Sequence, residues 1–159
     1  MIAENGIGRT THRAVAARAE LPLGATTYYF PTLDALIEAG LQRAARAQEA
    51  DLELWADRIR NAPDLAAALV ALTAEYLVDR RQARIEYELC VAAARDVALR
   101  PLATAWLDGL HGLLAPRVGA AAARNISALL DGAMLQVLVT GSELDAAGLT
   151  DAIHRLTRP

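Results

Sequence analysis

From Thr10 to Leu33 the chain reads Thr-Thr-His-Arg-Ala-Val-Ala-Ala-Arg-Ala-Glu-Leu-Pro-Leu-Gly-Ala-Thr-Thr-Tyr-Tyr-Phe-Pro-Thr-Leu. The chemistry on offer is recognition of an anion. The hydroxyls of Thr27 and Tyr28, and that of Tyr29 beside them, can donate to phosphate oxygens. Gly24 and Ala25 are small, so a helix starting near them can bring its N-terminus close to phosphate or to base edges, where the dipole favours negative charge. Thr11 and Arg13 open the preceding segment and add a hydroxyl and a cation. Short helices joined by a tight turn also occur in helical proteins that never meet nucleic acid, so spacing alone leaves both readings open.

The elements that must position these groups follow from local signals. Asn5-Gly6 reads as a helix end and a turn. Thr10 and Thr11 offer an N-cap to a helix carrying Val15, Ala16 and Ala19 at helical spacing. Glu20-Leu21-Pro22-Leu23-Gly24 breaks it, with Pro22 suited to the first turn of the next helix. That helix is expected to stop near Tyr29, because Pro31 disfavours helical geometry at Phe30. Two short helices and a turn make a helix-turn-helix.

This stretch, with the preceding Ala3-Glu4-Asn5-Gly6, resembles the helix-turn-helix of the tetracycline-repressor (TetR) family, whose glycine, tyrosine and phenylalanine fall at fixed offsets. The resemblance implies an all-α protein: an N-terminal helix-turn-helix, its first helix largely missing, then a helical ligand-binding and dimerisation bundle. It implies that Leu23, Gly24, Ala25, Thr27, Tyr28 and Tyr29 touch DNA, with Thr11 and Arg13 on a supporting helix that crosses the backbone. Phe30, the only phenylalanine, would plug the core of the motif. Where the family carries a basic residue near the start of its fourth helix, this chain has Leu33. The missing first helix would leave Val15, Leu21 and Phe30 partly uncovered. Met1 is therefore expected to be an internal or misassigned start, or the chain a fragment.

The rest of the sequence is read as helices. Thr32 caps a long one with Leu33, Leu36, Ile37, Leu41, Ala44, Gln48, Leu52, Trp55 and Ile59 at three- and four-residue steps. Asn61-Ala62-Pro63-Asp64 leads into Leu65, Leu69, Leu72 and Tyr76. Asp79-Arg80-Arg81 reads as a connection, followed by a helix with Ile85, Leu89, Cys90 and Ala93. Another is opened by Pro101, carries Leu102, Trp106, Leu110 and Leu113, and is expected to end at Pro116. From Ala121 to Val139 apolar residues cover more than one face, which asks for cover on more than one side. A last amphipathic helix spans Asp145 to Thr157.

Composition narrows the function. The chain has 159 residues, 54% hydrophobic and 22% charged, enough for a substantial core and too apolar for disorder. A net charge of −3 excludes a broad basic face, so any DNA contact comes from a small local surface. Every strongly basic residue is arginine. One cysteine, Cys90, allows no internal disulfide. The N-terminus has no signal-peptide pattern and no apolar run reaches the roughly 20 residues of a membrane span, so the expected location is the cytoplasm, with no membrane partner. His12, His111 and His154 are scattered, Ser127 and Ser142 lie in no nucleophile elbow, and no phosphate-cradling glycine loop is present. No enzyme, metal site or cofactor is expected.

The expectation is thus a ligand-responsive DNA-binding regulator, a repressor released from operator DNA by a small apolar effector. Residues 1–31 would form the incomplete DNA-binding domain and 32–159 the effector-binding and dimerisation domain. Tyr76, Tyr87, Cys90, Trp106, His111 and Met134 combine apolar bodies with polar tips and are the candidate effector-binding residues, although each is also an ordinary core type. Glu86 and Glu88 are expected to be solvated or salt-bridged. The last two helices would form a homodimer, with Gly132 and Ala133 permitting close approach. The alternative is a helical ligand-binding and dimerisation protein without DNA activity.

Overall fold

The structure, a computed structural model, describes residues 1–158. Among them are nine α-helices and no strand: α1 (Ile2–Asn5), α2 (His12–Arg18), α3 (Leu23–Tyr29), α4 (Leu33–Asn61), α5 (Leu65–Tyr76), α6 (Arg80–Arg95), α7 (Arg100–Val118), α8 (Ala120–Thr140) and α9 (Ala146–Thr157). Short 3-10 turns, Ile7–Arg9 and Val97–Leu99, precede α2 and α7.

Caps explain most of the boundaries. Thr11 accepts from the Ala14 N–H at 3.1 Å and starts α2; Thr32 does the same for Ala35 at the start of α4. Asp64 caps α5 through the Ala67 N–H, and Asp145 caps α9 through the Gly148 N–H. Gly141 closes α8 in the left-handed conformation. Two expectations fail. Asp79-Arg80-Arg81 is not all connection, because arginine is a good helix former and α6 already begins at Arg80. Pro116 does not end α7, which runs on to Val118; the helix loses one backbone bond, and the Gly119 N–H closes the last turn on Ala115 O at 2.9 Å.

The chain forms two compact units. The first comprises residues 1–47 and 81–104. Its core is Leu41 and Leu89, with Ala93 and Leu99, flanked by Ile2, Ile7, Ile37 and Ile85. Gly6, at φ 74°, turns the chain out of α1 so that the Ile7 N–H donates to Glu88 Oε2 at 3.2 Å. Thr10 is buried and its hydroxyl donates to Gly6 O, which fixes the entry into α2. Within this unit Val15 and Phe30 are half-buried and Leu21 is exposed.

The second unit comprises residues 48–80 and 105–159. Its core runs through Trp55, Ile59, Leu69, Leu110, Ile126 and Ile153, with α9 packed on both α5 and α8. Gly109 is required here, since a Cβ at that position would collide with Leu52 Cδ1. Arg117 holds the end of α4 by donating to the carbonyls of Ile59 and Ala62. His154 Nε2 lies 3.0 Å from Asp64 Oδ1, which joins α9 to the start of α5 and helps to hold the Asp64 carboxyl below its usual range, after the Ala67 N–H.

Candidate functional site

The turn between α2 and α3 is built from backbone bonds. The Leu21 N–H donates to Ala16 O at 2.9 Å and the Glu20 N–H to Ala17 O at 3.3 Å, which is a Schellman closure. Its left-handed residue is Glu20, at φ 56°, where glycine is the unstrained choice. The closure seats α3 against α2, with Thr26 buried and its hydroxyl bonded to Leu23 O.

That arrangement leaves one side of α3 bare. Tyr28 is 80% and Tyr29 73% exposed, their rings in a T-shaped contact at 5.2 Å. Leu23 and Gly24 are exposed, Ala25 half-buried, and nothing lies within 4 Å of where a Gly24 Cβ would be. Gly24 therefore serves no packing purpose within the chain. Thr27 is exposed, but its hydroxyl donates back to Gly24 O at 3.2 Å, so it faces outward as an acceptor. Thr11 uses its oxygen as the α2 cap and keeps its proton for an outside acceptor. Arg13 is exposed, and so is Arg9, a cation that sequence reasoning passed over because it precedes the motif. Arg18 is instead paired with Glu4 at 2.7 Å.

The candidate effector residues divide between the units. In the second, Tyr76 and Trp106 are stacked at 6.1 Å, and Trp55 closes a trio edge-on to both, at 6.2 and 5.3 Å. Trp55 was readable only as a core position on a helical stripe; its partners are brought in by tertiary packing. His111 is half-buried on α7, and Met134 is buried on α8. Asp51, one turn before Trp55 on α4, has its carboxyl pushed above the usual range by burial. Tyr87, half-buried, and Cys90, exposed, belong to the first unit. Glu86 is buried, with Oε1 accepting from Gln82 at 3.1 Å, and the half-buried Glu88 holds the Ile7 N–H.

On α8, Ala121, Ala128, Gly132, Leu135 and Val139 recur at helical intervals and are exposed, Leu135 by 44% and Val139 by 75%. Ala133 packs on the core of its own unit. The Asp131 carboxyl, on the same helix, is pushed up to about 6 by burial. Among the described residues no group of three or more histidine, cysteine or acidic side chains could hold a metal ion, and no helix is long and apolar enough to cross a membrane.

Residues 60–159 match a family model described as the tetracyclin repressor-like, C-terminal domain. Among solved structures, the chain is 39% identical to a TetR-family member from Streptomyces coelicolor A3, covering 99% of this chain and 91% of that one, with a TM-score of 0.86. It is equally 39% identical to the multidrug binding protein EbrR complexed with imidazole, covering 99% of this chain and 89% of that one, with a TM-score of 0.82. EbrR complexed with ethidium gives 38% identity, 99% and 92% coverage and a TM-score of 0.75. A comparison with curated protein sequences finds no match.

Proposed function

The chain belongs to the TetR family of regulators, and from that premise we propose that it is a ligand-responsive repressor that reads operator DNA through α3. The observation that carries this reading is the bare side of α3: an uncrowded Gly24 beside two tyrosines that bury nothing of their own chain. A short helix so exposed fits the major groove, with Thr11, Arg13, Leu23, Gly24, Ala25, Thr27, Tyr28 and Tyr29 as the contacting set. Residues 1–31 are the DNA-binding domain of this reading and 32–159 its effector-binding and dimerisation domain. The protein would act in the cytoplasm, with the DNA.

Two copies are joined through α8 and α9. The exposed apolar stripe on α8 supports this, since a contiguous apolar stripe left open within one chain asks for cover. A dimer sets two α3 helices about 34–36 Å apart, or a multiple of it, on a near-palindromic site. The effector is a planar aromatic molecule, by likeness to EbrR with ethidium, and stacks in the second unit among Tyr76, Trp106, His111 and Met134. Effector binding favours a conformation with the wrong spacing between recognition helices, a shift driven by its differential affinity for two states.

Titration of the protein against DNA flanking its own gene, with ethidium added to the complex, tests this reading. Specific binding that ethidium reverses, with quenching of tryptophan emission, is the expected result. Tryptophan quenching without any DNA binding would favour a dimerising ligand-binding protein instead.

A further inference from the structure

A cavity of about 410 Å³ lies wholly within the first unit, walled by the Ile7–Gly8 turn, the start of α4, the end of α6 and the turn before α7. Its floor is apolar: Ile7, Ile37, Ala92 and Leu99. Around that floor stand four carboxylates, Asp34, Glu38, Glu88 and Asp96, against the single guanidinium of Arg95. None of the four forms an ion pair among the described residues; Glu38 accepts from Gln42, Glu88 from the Ile7 N–H and Asp96 from the Ala98 N–H. An apolar floor with an excess of three negative charges disfavours anions and selects a ligand that is apolar in body and positive in charge.

We infer that this cavity is a binding site for a small amphipathic organic cation, separate from the aromatic core of the second unit. Its position gives it a consequence. Glu88 is both a wall of the cavity and the acceptor that ties Ile7 to α6. Ile7 begins the turn that leads directly into the Thr11 cap of α2. A cation drawing the Glu88 carboxylate toward itself competes with the Ile7 N–H and loosens the seat of the helix-turn-helix. By linkage the cation then weakens DNA binding, and DNA weakens cation binding by the same factor. This coupling rests on the DNA-binding reading above; the existence of the site does not.

The probe is benzyltrimethylammonium, with neopentylbenzene as its uncharged isostere, followed by backbone amide NMR shifts of the full chain. Shifts centred on Ile7, Gly8, Ile37, Ala92 and Leu99, induced by the cation and at least tenfold more weakly by the isostere, are expected. Asp34 and Glu38 are exposed, so the double variant Asp34→Asn, Glu38→Gln folds and should weaken binding about tenfold. Ala98→Phe, at an exposed position, should occlude the cavity; thermal melts confirm that both variants are folded. Equal binding of the isostere, shifts centred on Trp106 instead, or unchanged affinity in the variants would overturn the site. With the site intact, a cation that leaves DNA affinity unchanged would overturn only the coupling.

Discussion

The Glu88 carboxylate accepts the backbone N–H of Ile7 at 3.2 Å, across 81 positions of sequence. Gly6 makes this possible: at φ 74° it turns the chain past α6, and a Cβ there would lie 3.1 Å from Glu88 Oε1. One side chain in the middle of α6 thus fixes the backbone just ahead of the helix-turn-helix. Removing it with Glu88→Ala leaves a part-buried N–H without its charged acceptor, a loss of about 1–3 kcal/mol. A urea titration should show the drop, with faster amide exchange at Ile7, while Glu88→Gln keeps most of both. An unchanged midpoint in Glu88→Ala would count against the tether.

Glu20 occupies a left-handed position that favours glycine. Relief of that strain in Glu20→Gly should stabilise the protein by about 1 kcal/mol, or roughly 2–4 °C in Tm at this size. A lower Tm would mean that the Glu20 side chain contributes more than its backbone strain costs.

Gly24 separates stability from recognition. It sits inside α3 with open space where a Cβ would go. Gly24→Ala should therefore raise stability by up to about 1 kcal/mol through helix propensity, yet weaken operator binding by crowding the approach to DNA. Tyr28→Phe, at an 80% exposed position, should leave the melt unchanged and weaken binding to all sequences alike, as loss of a phosphate contact does. Equal affinity of Gly24→Ala and the parent chain would remove α3 from the interface.

Two carboxylates give stability opposite pH dependences. Burial raises the Asp131 carboxyl from 3.8 to about 6, so between those values the folded chain holds a proton that the unfolded chain has lost. Stability contributed by this group is fully present below pH 3.8 and falls as pH rises toward 6. Asp131→Asn should then gain about 2 kcal/mol at pH 7, allowing for residual solvation, and nothing below pH 4. The Asp64 carboxyl is lowered, chiefly by the Ala67 N–H and then by His154. Its contribution is present above its unfolded value and is lost as pH falls through the folded one, so Asp64→Asn should flatten the acid limb. Melts of both variants from pH 3 to 8 check the two signs.

Most helix boundaries were readable because they are local. Thr11, Thr32, Asp64, Asp145 and Gly141 each act within a few residues of the end they fix. Arg80 and Pro116 misled because a charged pair and a proline are only weak stop signals near a helix end. What the sequence could not reveal is long-range. Nothing around Trp55 announces Tyr76 and Trp106 as partners, and an acidic residue such as Glu88 looks solvated until its backbone partner is seen. Nor does the sequence show that α6 carries Tyr87 and Cys90 in the first compact unit and α7 carries Trp106 in the second. The bare face of α3 was legible through the Thr-Thr and Gly-Ala-Thr-Thr-Tyr-Tyr-Phe pattern, whereas the back-bonded Thr27 hydroxyl was not.

The most direct test of the central claim is a DNA-binding titration of the protein and its Gly24→Ala variant on DNA flanking the gene, at 50 and 200 mM salt. The account predicts specific binding by the parent chain that falls roughly a hundredfold at the higher salt, as a handful of phosphate contacts requires, and weaker binding by the variant at both. A folded, dimeric protein that binds no flanking DNA at either salt, or a variant that binds as tightly as its parent, would contradict it.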